Sequence, residues 1–379
     1  MHAFKSYALL RGLFLIQDGG RFCMLRAAAR GVYPYDVYDL SDRTQSVKVG
    51  DSSSQASPLI HGVPQGSVLG PLLFTIFTLP LGKLIEEHGL HAHFYADDTQ
   101  LYLPFTPGTE LEAVRRVSAC CNAIKEWMTA NMLKLNEEKT EMMVLQPRHT
   151  TTPTACSITI SNANITPKPT ARNLGFTLDD KLNCEVHINK TCHSAFYHLR
   201  NIKRIRHYLT REVTEQLVHA FITSRIDFCN ALLAGAQQQH VKKLQRVQNA
   251  AARVILEIPV RESVTMALQD LHWLPVKSRI DYKILLLTYR AFHGQAPQYI
   301  LDLLHKYEPN MNCRSRHLRL LDVPRAHYKT VGDRAFSVYA PSIWNGLPKQ
   351  LRFAPTENVF KTKLKTHLFR IAFNTAHTC

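Results

Sequence analysis

Two adjacent carboxylates, Asp97 and Asp98, are the residues whose type and spacing best fit a chemical role. They follow Tyr95 and Ala96 in the string Tyr-Ala-Asp-Asp, between two short β-prone runs. Neighbouring carboxylates on a tight turn repel each other, so a divalent cation that neutralises them would explain why both are present. Two Mg²⁺ ions held by carboxylates can activate an attacking hydroxyl and stabilise a departing pyrophosphate. A chance occurrence of the string is the alternative.

The runs on either side of the two acids predict a β-hairpin with the acids at its tip. Residues 91–95 and 99–103 are β-prone, and the Asp-containing string between them suits a turn. Upstream, the loop at residues 62–67 (Gly-Val-Pro-Gln-Gly-Ser) precedes an apolar stretch that predicts a helix to about residue 84. Ser67 can cap the start of this helix, and Pro80 is expected to kink or end it.

Residues 109–131 give the clearest helical pattern in the chain. Thr109 and Glu112 have the spacing of a capping box. Apolar residues recur at helical spacing and predict one buried face: Leu111, Val114, Val117, Cys121, Ile124 and Met128. Short strands are expected at residues 141–145, 156–160 and 172–178, and helices beyond about residue 182.

Positive charge is concentrated in the second half of the 379-residue chain. Residues 1–183 hold 17 basic and 17 acidic side chains, whereas residues 184–379 hold 29 and 13, which accounts for the whole net charge of +16. Such a half suits a polyanionic partner such as nucleic acid, although a solvated basic surface is the alternative. Ordinary composition, with 45% apolar and 20% charged residues, excludes collagen-like and wholly disordered chains.

The cysteines and the N-terminal segment bear on localisation. Nine cysteines without a Cys-x-x-Cys pair indicate free thiols in a reducing compartment, cytoplasm or nucleus. Cys184, His187, Cys192 and His193 form the densest metal-like cluster, but their spacing is atypical of zinc sites and we expect no zinc there. No apolar run is long enough to cross a membrane. Residues 1–31 hold five basic residues and one acid, so a mitochondrial presequence is a less favoured alternative.

Four motifs occur in the order and rough spacing of the palm of a reverse transcriptase. They are residues 62–71 (Gly-Val-Pro-Gln-Gly-Ser-Val-Leu-Gly-Pro), 94–98 (Phe-Tyr-Ala-Asp-Asp), 131–136 (Asn-Met-Leu-Lys-Leu-Asn) with 139–141 (Lys-Thr-Glu), and 174–176 (Leu-Gly-Phe) with Asp179. The chain therefore resembles a reverse transcriptase. The strings at residues 273–275 (Trp-Leu-Pro) and 340–348 (Ala-Pro-Ser-Ile-Trp-Asn-Gly-Leu-Pro) are similar to those of non-LTR, LINE-type retrotransposon proteins. The resemblance runs from about Leu40 to the C-terminus.

This resemblance implies roles in catalysis. Asp97 and Asp98 would be the metal ligands for two Mg²⁺ ions, with Asp97 the more direct ligand. Lys139 would sit near the pyrophosphate as a charge partner or proton donor. These three residues are the predicted catalytic set.

The resemblance also implies contacts with substrates, which are an RNA template, a DNA primer and a dNTP. Gln65, Gly66 and Tyr95 would lie against the template and the incoming nucleotide, where a glycine allows close approach of the backbone. Leu174 and Gly175 would seat the primer end. The basic helical half would hold the phosphates of the duplex as a thumb.

One expected palm element has no match. The family has a strand before the loop at residue 62, with a metal-binding aspartate followed closely by an aromatic residue. Asp18 is instead followed by two glycines, and Asp36 and Asp39 lie too near the loop. One carboxylate strand cannot hold two Mg²⁺ ions in polymerase geometry. We therefore expect an N-terminally truncated, catalytically inactive remnant whose sheet lacks its central strand and whose stability is marginal.

The fold class predicted from these features is α+β: a partial polymerase palm, made of an antiparallel sheet with helices, and then a mostly helical thumb and C-terminal region. The expected boundaries are a non-family leader at residues 1–39, a partial palm at 40–183 and a basic helical region at 184–379. Two alternatives to the inactive remnant remain. One is an active RNA-directed DNA polymerase in which residues 1–39 or another chain supply the third carboxylate. The other is a non-catalytic nucleic-acid-binding protein that uses the basic half.

Overall fold

The computed structural model describes most of the chain in two compact units, Leu10–Ala171 and a second unit that contains Arg172–Cys379. For residues 12–18 and 374 the description covers the backbone alone. The described residues are 12–18, 44–58, 68–106, 108–145, 157–160, 163–308, 318–326 and 331–374.

The first unit combines small antiparallel sheets with two long helices, as the α+β prediction requires. Two short two-stranded ribbons precede the first helix. The elements are β1 (Gly12–Asp18), β2 (Thr44–Gln45), β3 (Lys48–Val49), β4 (Ser52–Ser53), β5 (Ser57–Pro58), α1 (Gly70–Glu87), β6 (His91–Tyr95), β7 (Asp98–Phe105), α2 (Glu110–Ala130), β8 (Glu141–Leu145), β9 (Ile158–Ile160) and β10 (Ala163–Ile165).

The main sheet has the strand order β6-β7-β1-β8, and every neighbouring pair is antiparallel. Strand β1 pairs along its whole length with β7, from Gly12 opposite Phe105 to Asp18 opposite Thr99, and its other edge pairs with β8. The expectation that the sheet lacks a central strand is therefore wrong. A segment from within residues 1–39 fills that place and satisfies the backbone groups of both neighbours.

Helix α2 confirms the clearest sequence pattern but corrects two of its details. Val117, Ile124 and Met128 are buried as predicted, whereas Leu111 is 72% exposed. Thr109 is the residue before the first helical turn, but its hydroxyl donates to the Thr106 carbonyl oxygen and makes no capping bond to the helix. The capping-box prediction is wrong because a tight local turn engages this hydroxyl first.

Helix α1 runs through Pro80 to Glu87, so the prediction that proline could end it is wrong. The next turn is stabilised by packing, since Leu81 and Ile85 are almost fully buried. Ser67, the predicted cap, lies outside the described residues. Leu69 occupies the position before the first turn, and Pro71 stands within that turn, where a missing N–H leaves no helical bond unmade.

A hairpin starts just before Arg172 and leads into the second unit, which continues as helices, as the sequence predicts beyond residue 182. Short 3₁₀ and π-helical turns connect several of these helices. The elements are β11 (Thr170–Asn173), β12 (Phe176–Asp179), α3 (Glu185–Ile205), α4 (Arg211–Val218), α5 (Ser224–Asp227), α6 (Gln238–Leu256), α7 (Val264–Asp270), α8 (Val276–Phe292), α9 (Gln298–Leu301), α10 (Phe336–Asn345), α11 (Lys349–Arg352) and α12 (Glu357–Asn374).

The helices of the second unit enclose their own apolar core. Trp344, Tyr289 and Phe360 are its largest fully buried side chains. The rings of Tyr289 and Phe360 stack with centroids 4.3 Å apart, and the Tyr289 hydroxyl donates to the Ala354 carbonyl oxygen at 3.0 Å. Among the described helices, none is long and apolar enough to span a bilayer. The α+β prediction, with a partial palm before a helical region, is confirmed.

Truncating Ile124 to alanine tests the core of the first unit. Ile124 is 4% exposed in the face of α2 that meets the sheet, so the change should lower the free energy of unfolding by about 2–5 kcal/mol. Leu111→Ala on the same helix is the matched control and should change it by less than about 0.5 kcal/mol. Urea denaturation followed by circular dichroism measures both. Equal losses would contradict the described orientation of α2.

Candidate active site

The hairpin of β6 and β7 places the two acids at its tip, as the sequence predicts. Tyr95 pairs with Asp98 in the last rung of the ladder, so Ala96 and Asp97 alone form the turn. Ala96 has φ +52°, a left-handed conformation that costs a non-glycine residue of order 1 kcal/mol. Hairpins with two-residue turns need such conformations because they match the twist of the strands.

Asp98, the second of the two acids, has a perturbed pKa. Partial burial raises its pKa above the ordinary value of an aspartate, and the negative charge of Asp97 raises it further. The ammonium group of Lys139 acts in the opposite direction and lowers the pKa. Asp97 and Lys139 therefore both lie within electrostatic reach of Asp98. Their assignment as catalytic residues stays a prediction.

Lys139 is positioned by a single 3₁₀ turn, Glu137–Lys139, between α2 and β8. The side-chain oxygen of Asn136 accepts a hydrogen bond from the Lys139 backbone N–H at 3.3 Å, which starts the turn. Thr140 is buried, and its hydroxyl donates to the Asn136 carbonyl oxygen at 2.9 Å. The motif that contains Asn136 and Lys139 thus folds into a local turn that positions Lys139 near Asp98.

Asp18 is the residue that sequence reasoning set aside and that the fold brings to this place. As the last residue of β1, it stands opposite Thr99, the residue that follows Asp98 in β7. The backbones of Asp18, Asp97 and Asp98 therefore lie at the same end of the sheet. A signal was present in the sequence, since the apolar residues before Asp18 suit a buried strand. The two glycines that follow Asp18 hid the match.

The donor set of the hairpin tip suits a hard divalent cation. Carboxylate oxygens are the ligands that Mg²⁺ prefers, and burial together with the negative charge of Asp97 already disfavours the charged form of Asp98. Asp97 and Asp98 are the residues that would hold it. Within the described side chains, no group of three His, Cys, Asp or Glu residues is placed to bind a metal ion. A third ligand would therefore have to come from a residue such as Asp18, for which the backbone alone is described.

The surroundings of the tip come from the predicted helix α1. A small crevice beside Asp97 is lined by Phe74 and Thr78 from α1 and by Phe94 and Met128. Tyr95 is 67% exposed, so its ring is accessible to a ligand. Gln65 and Gly66, the predicted template and nucleotide contacts, lie outside the described residues.

Leu174 and Gly175, the predicted primer contacts, form the two-residue turn between β11 and β12 in the second unit. Their φ angles are +44° and +86°, as a turn of this kind requires. A Cβ atom on Gly175 would lie 3.1 Å from Cζ of Phe228. Asp179, from the same motif, is buried and accepts hydrogen bonds from the N–H groups of Asn183 and Cys184. These contacts give Asp179 a structural role at the start of α3.

The cysteine and histidine cluster of α3 has structural contacts. The Nδ1 atom of His187 accepts a hydrogen bond from the Thr177 N–H at 3.3 Å, and its ring stacks on Phe176. Burial lowers the pKa of His187 and raises the pKa of the Cys184 thiol. Both groups are therefore held neutral in the core.

One stretch of the chain matches a known protein family. Residues 32–178 match the family model described as reverse transcriptase (RNA-dependent DNA polymerase). This region contains the Asp97–Asp98 hairpin, Lys139 and the Leu174–Gly175 turn. The predicted resemblance to the reverse transcriptases of non-LTR retrotransposons is confirmed.

Three relatives, all from Drosophila melanogaster, carry the comparison further. The chain is 27% identical over 253 residues to a probable RNA-directed DNA polymerase from transposon BS, which is 64% of this chain and 27% of that protein. It is 30% identical over 171 residues to the RNA-directed DNA polymerase from mobile element jockey, which is 42% of this chain and 18% of that protein. A probable RNA-directed DNA polymerase from transposon X-element is 24% identical over 229 residues, 57% of this chain and 24% of that protein. The chain thus covers about a quarter or less of the curated relatives it matches.

Titration of Asp98 tests the electrostatics of the tip. Asp97→Asn should lower the pKa of Asp98, because it removes a like charge, and Lys139→Met should raise it, because it removes an opposite charge. Carbon NMR of the labelled aspartates measures the pKa. Lys134→Met removes an exposed lysine from the same segment and should leave it unchanged. A Lys139→Met variant that behaved like Lys134→Met would contradict the described placement of Lys139.

Proposed function

We propose that this chain is the palm and thumb region of an RNA-directed DNA polymerase and that Asp18 supplies the third carboxylate of its site. The observation that carries the proposal is the register of β1, which places the backbone of Asp18 opposite Thr99, one residue along β7 from Asp98. Carboxylates from two adjacent strands are what a two-metal site needs. The match of residues 32–178 to the reverse transcriptase family supports the polymerase part of the proposal, and Asp18 precedes the matched residues.

Each part of the site has a separate task in this proposal. Two Mg²⁺ ions, when bound, supply activation of the primer hydroxyl and stabilisation of the leaving pyrophosphate. Asp18, Asp97 and Asp98 hold them. Lys139 compensates negative charge near the pyrophosphate, and exposed Tyr95 contacts the incoming dNTP or the template.

The nucleic-acid contacts extend the proposal to both units. Gln65 and Gly66 lie against the RNA template, and Leu174 with Gly175 seats the end of the DNA primer. The five cysteines described as free thiols, Cys120, Cys121, Cys184, Cys192 and Cys229, support a reducing compartment such as cytoplasm or nucleus.

Primer extension on poly(rA)/oligo(dT) with Mg²⁺ or Mn²⁺ tests the function. We expect extension by the wild-type chain and a loss of about 100-fold or more in Asp97→Asn and Asp18→Asn, because a bound metal contributes several kcal/mol to the transition state. Asp51→Asn removes an exposed acid from the turn between β3 and β4 and is the matched control, with unchanged activity.

The outcomes separate the hypotheses. Extension that survives in Asp18→Asn would show that Asp18 is not the third carboxylate. A wild-type chain without extension would reject the proposal and support the inactive remnant expected from the sequence. That remnant is favoured by the two glycines after Asp18, which stand where the family has an aromatic residue nearby.

Nucleic-acid binding without catalysis is the second candidate function. The observation that favours it is the net charge of +16 carried by residues 184–379. It predicts affinity for RNA or duplex that falls steeply with salt in the wild-type chain and in Asp97→Asn alike.

A further inference from the structure

A groove of about 860 Å³ lies in the second unit between α3 and the C-terminal end of α6. Its floor is apolar and includes Leu199, Val254, Ile258 and Pro259. Phe196, Arg200 and Lys203 stand along its α3 side. These three residues are spaced at i, i+4 and i+7, so one helix face presents an aromatic ring followed by two cations.

Two arginines fix the walls of the groove. The Arg206 guanidinium donates to the carbonyl oxygens of Val254 and Ile255, both at 3.0 Å, and so binds the end of α3 to the end of α6. The Arg253 guanidinium donates to the carbonyl oxygens of Val260 and Glu262 and holds the loop that follows α6. A groove braced in this way does not have to be ordered when a ligand binds.

The charge of the groove is positive and largely uncompensated. Glu257 is the single carboxylate among its lining residues, and an ion pair at 2.6 Å commits it to Arg206. The side chains of Arg200 and Lys203 are exposed, and within the described residues neither makes a hydrogen bond or an ion pair. A ligand that fits must therefore bring negative charge to the rim.

The apolar floor of the groove favours a ligand that also has an apolar or aromatic surface. Phe196 is 40% exposed and Val260 is 84% exposed, so apolar surface is open beside the cations. A nucleic-acid duplex keeps its bases stacked inside and would offer this surface only phosphates and sugars. An unpaired strand can lay a base on an aromatic ring while its phosphates meet the neighbouring cations.

We propose that this groove binds single-stranded nucleic acid, with an unpaired base against Phe196 and the apolar floor and with adjacent phosphates on Arg200 and Lys203. The inference rests on the proposed function, because it names where an RNA-directed polymerase would hold a strand that is not paired. An acidic peptide could match the charge, but the planar guanidinium of Arg200 next to an open phenyl ring suits flat bases better.

Fluorescence anisotropy of the full chain with a short labelled oligouridine tests the proposal, with oligo(dT) and an RNA duplex as comparison probes. The double variant Arg200→Gln/Lys203→Gln should lose about tenfold or more in affinity for oligouridine. The slope of log affinity against log salt should fall by about 1.4, since each phosphate contact on a single strand contributes about 0.7. Lys242→Gln/Arg246→Gln removes the same charge from exposed positions of α6 outside the groove and should change affinity less than about threefold.

Variants of Phe196 distinguish base binding in the groove from general phosphate binding by a basic surface. Phe196→Ala should lower the affinity for oligouridine about tenfold and leave the affinity for the duplex unchanged, and Phe196→Tyr should keep single-strand binding. Equal losses in the two double variants would overturn the proposal. The proposal would also be overturned if the duplex bound as tightly as oligouridine and Phe196→Ala left both affinities unchanged. It would likewise be overturned if an acidic peptide displaced the oligonucleotide at equal concentration.

The result is independent of catalysis. Asp97→Asn should bind oligouridine like the wild-type chain. Binding in the groove without primer extension would reject only the proposed polymerase function. Extension with unchanged binding in Arg200→Gln/Lys203→Gln would reject only the groove.

Discussion

The pairing of β1 with two partners is the constraint on which the first unit depends. In the middle of β7, Leu101, Tyr102 and Leu103 are all buried, which is how a strand inside a sheet is packed. Strand β1 covers the inner edges of both β7 and β8, which would otherwise expose rows of unpaired backbone groups. Because β7 begins at Asp98, its register against β1 also decides which residue stands beside the acids. A slip of one residue would turn every side chain of β1 to the opposite face.

Local patterns were enough to predict the hairpin and the helices. The strands predicted at residues 91–95 and 141–145 have the observed bounds, and the helix predicted at 109–131 agrees with α2 within one residue at each end. Beyond residue 182 the expected helices form, and α6 buries Leu244, Val247 and Ile255 on one side. Such elements carry their own periodicity and turn residues, so no distant partner is needed to recognise them.

The errors come from partners that are distant in sequence. Strand β1 is defined by pairing with residues about 85 and 130 positions away, and its own composition did not distinguish it from a leader. The spacing of Leu111 assigns it to the apolar face of α2, yet it is exposed while Ala113 in the same turn is buried, so the packed face of the helix turns away from Leu111. In the same way, the ion pair of Arg279 with Asp227 joins two helices across 52 positions, which no local spacing announces.

The two units treat concentrated charge differently, and this limits what composition alone can say. In the second unit, Arg206, Arg334 and Arg352 direct their guanidinium groups mainly to backbone carbonyl oxygens, so part of the basic excess serves the fold. Burial lowers the pKa of Arg352, yet the group has three carbonyl partners that replace water. Carbonyl dipoles satisfy hydrogen bonds without cancelling a full charge.

Positive charge therefore remains even where the arginines are internally bonded, and the exposed cations of α3 and α6 add to it. In the first unit, negative charge is concentrated at one place, the hairpin tip with Asp97 and Asp98. The positive charge of Lys139 opposes it by acting on Asp98. A fold that leaves acids together at one tip and cations along helix faces lowers its free energy when small cations meet the former and a polyanion meets the latter. The proposed nucleotide transfer along a nucleic-acid strand would bring both.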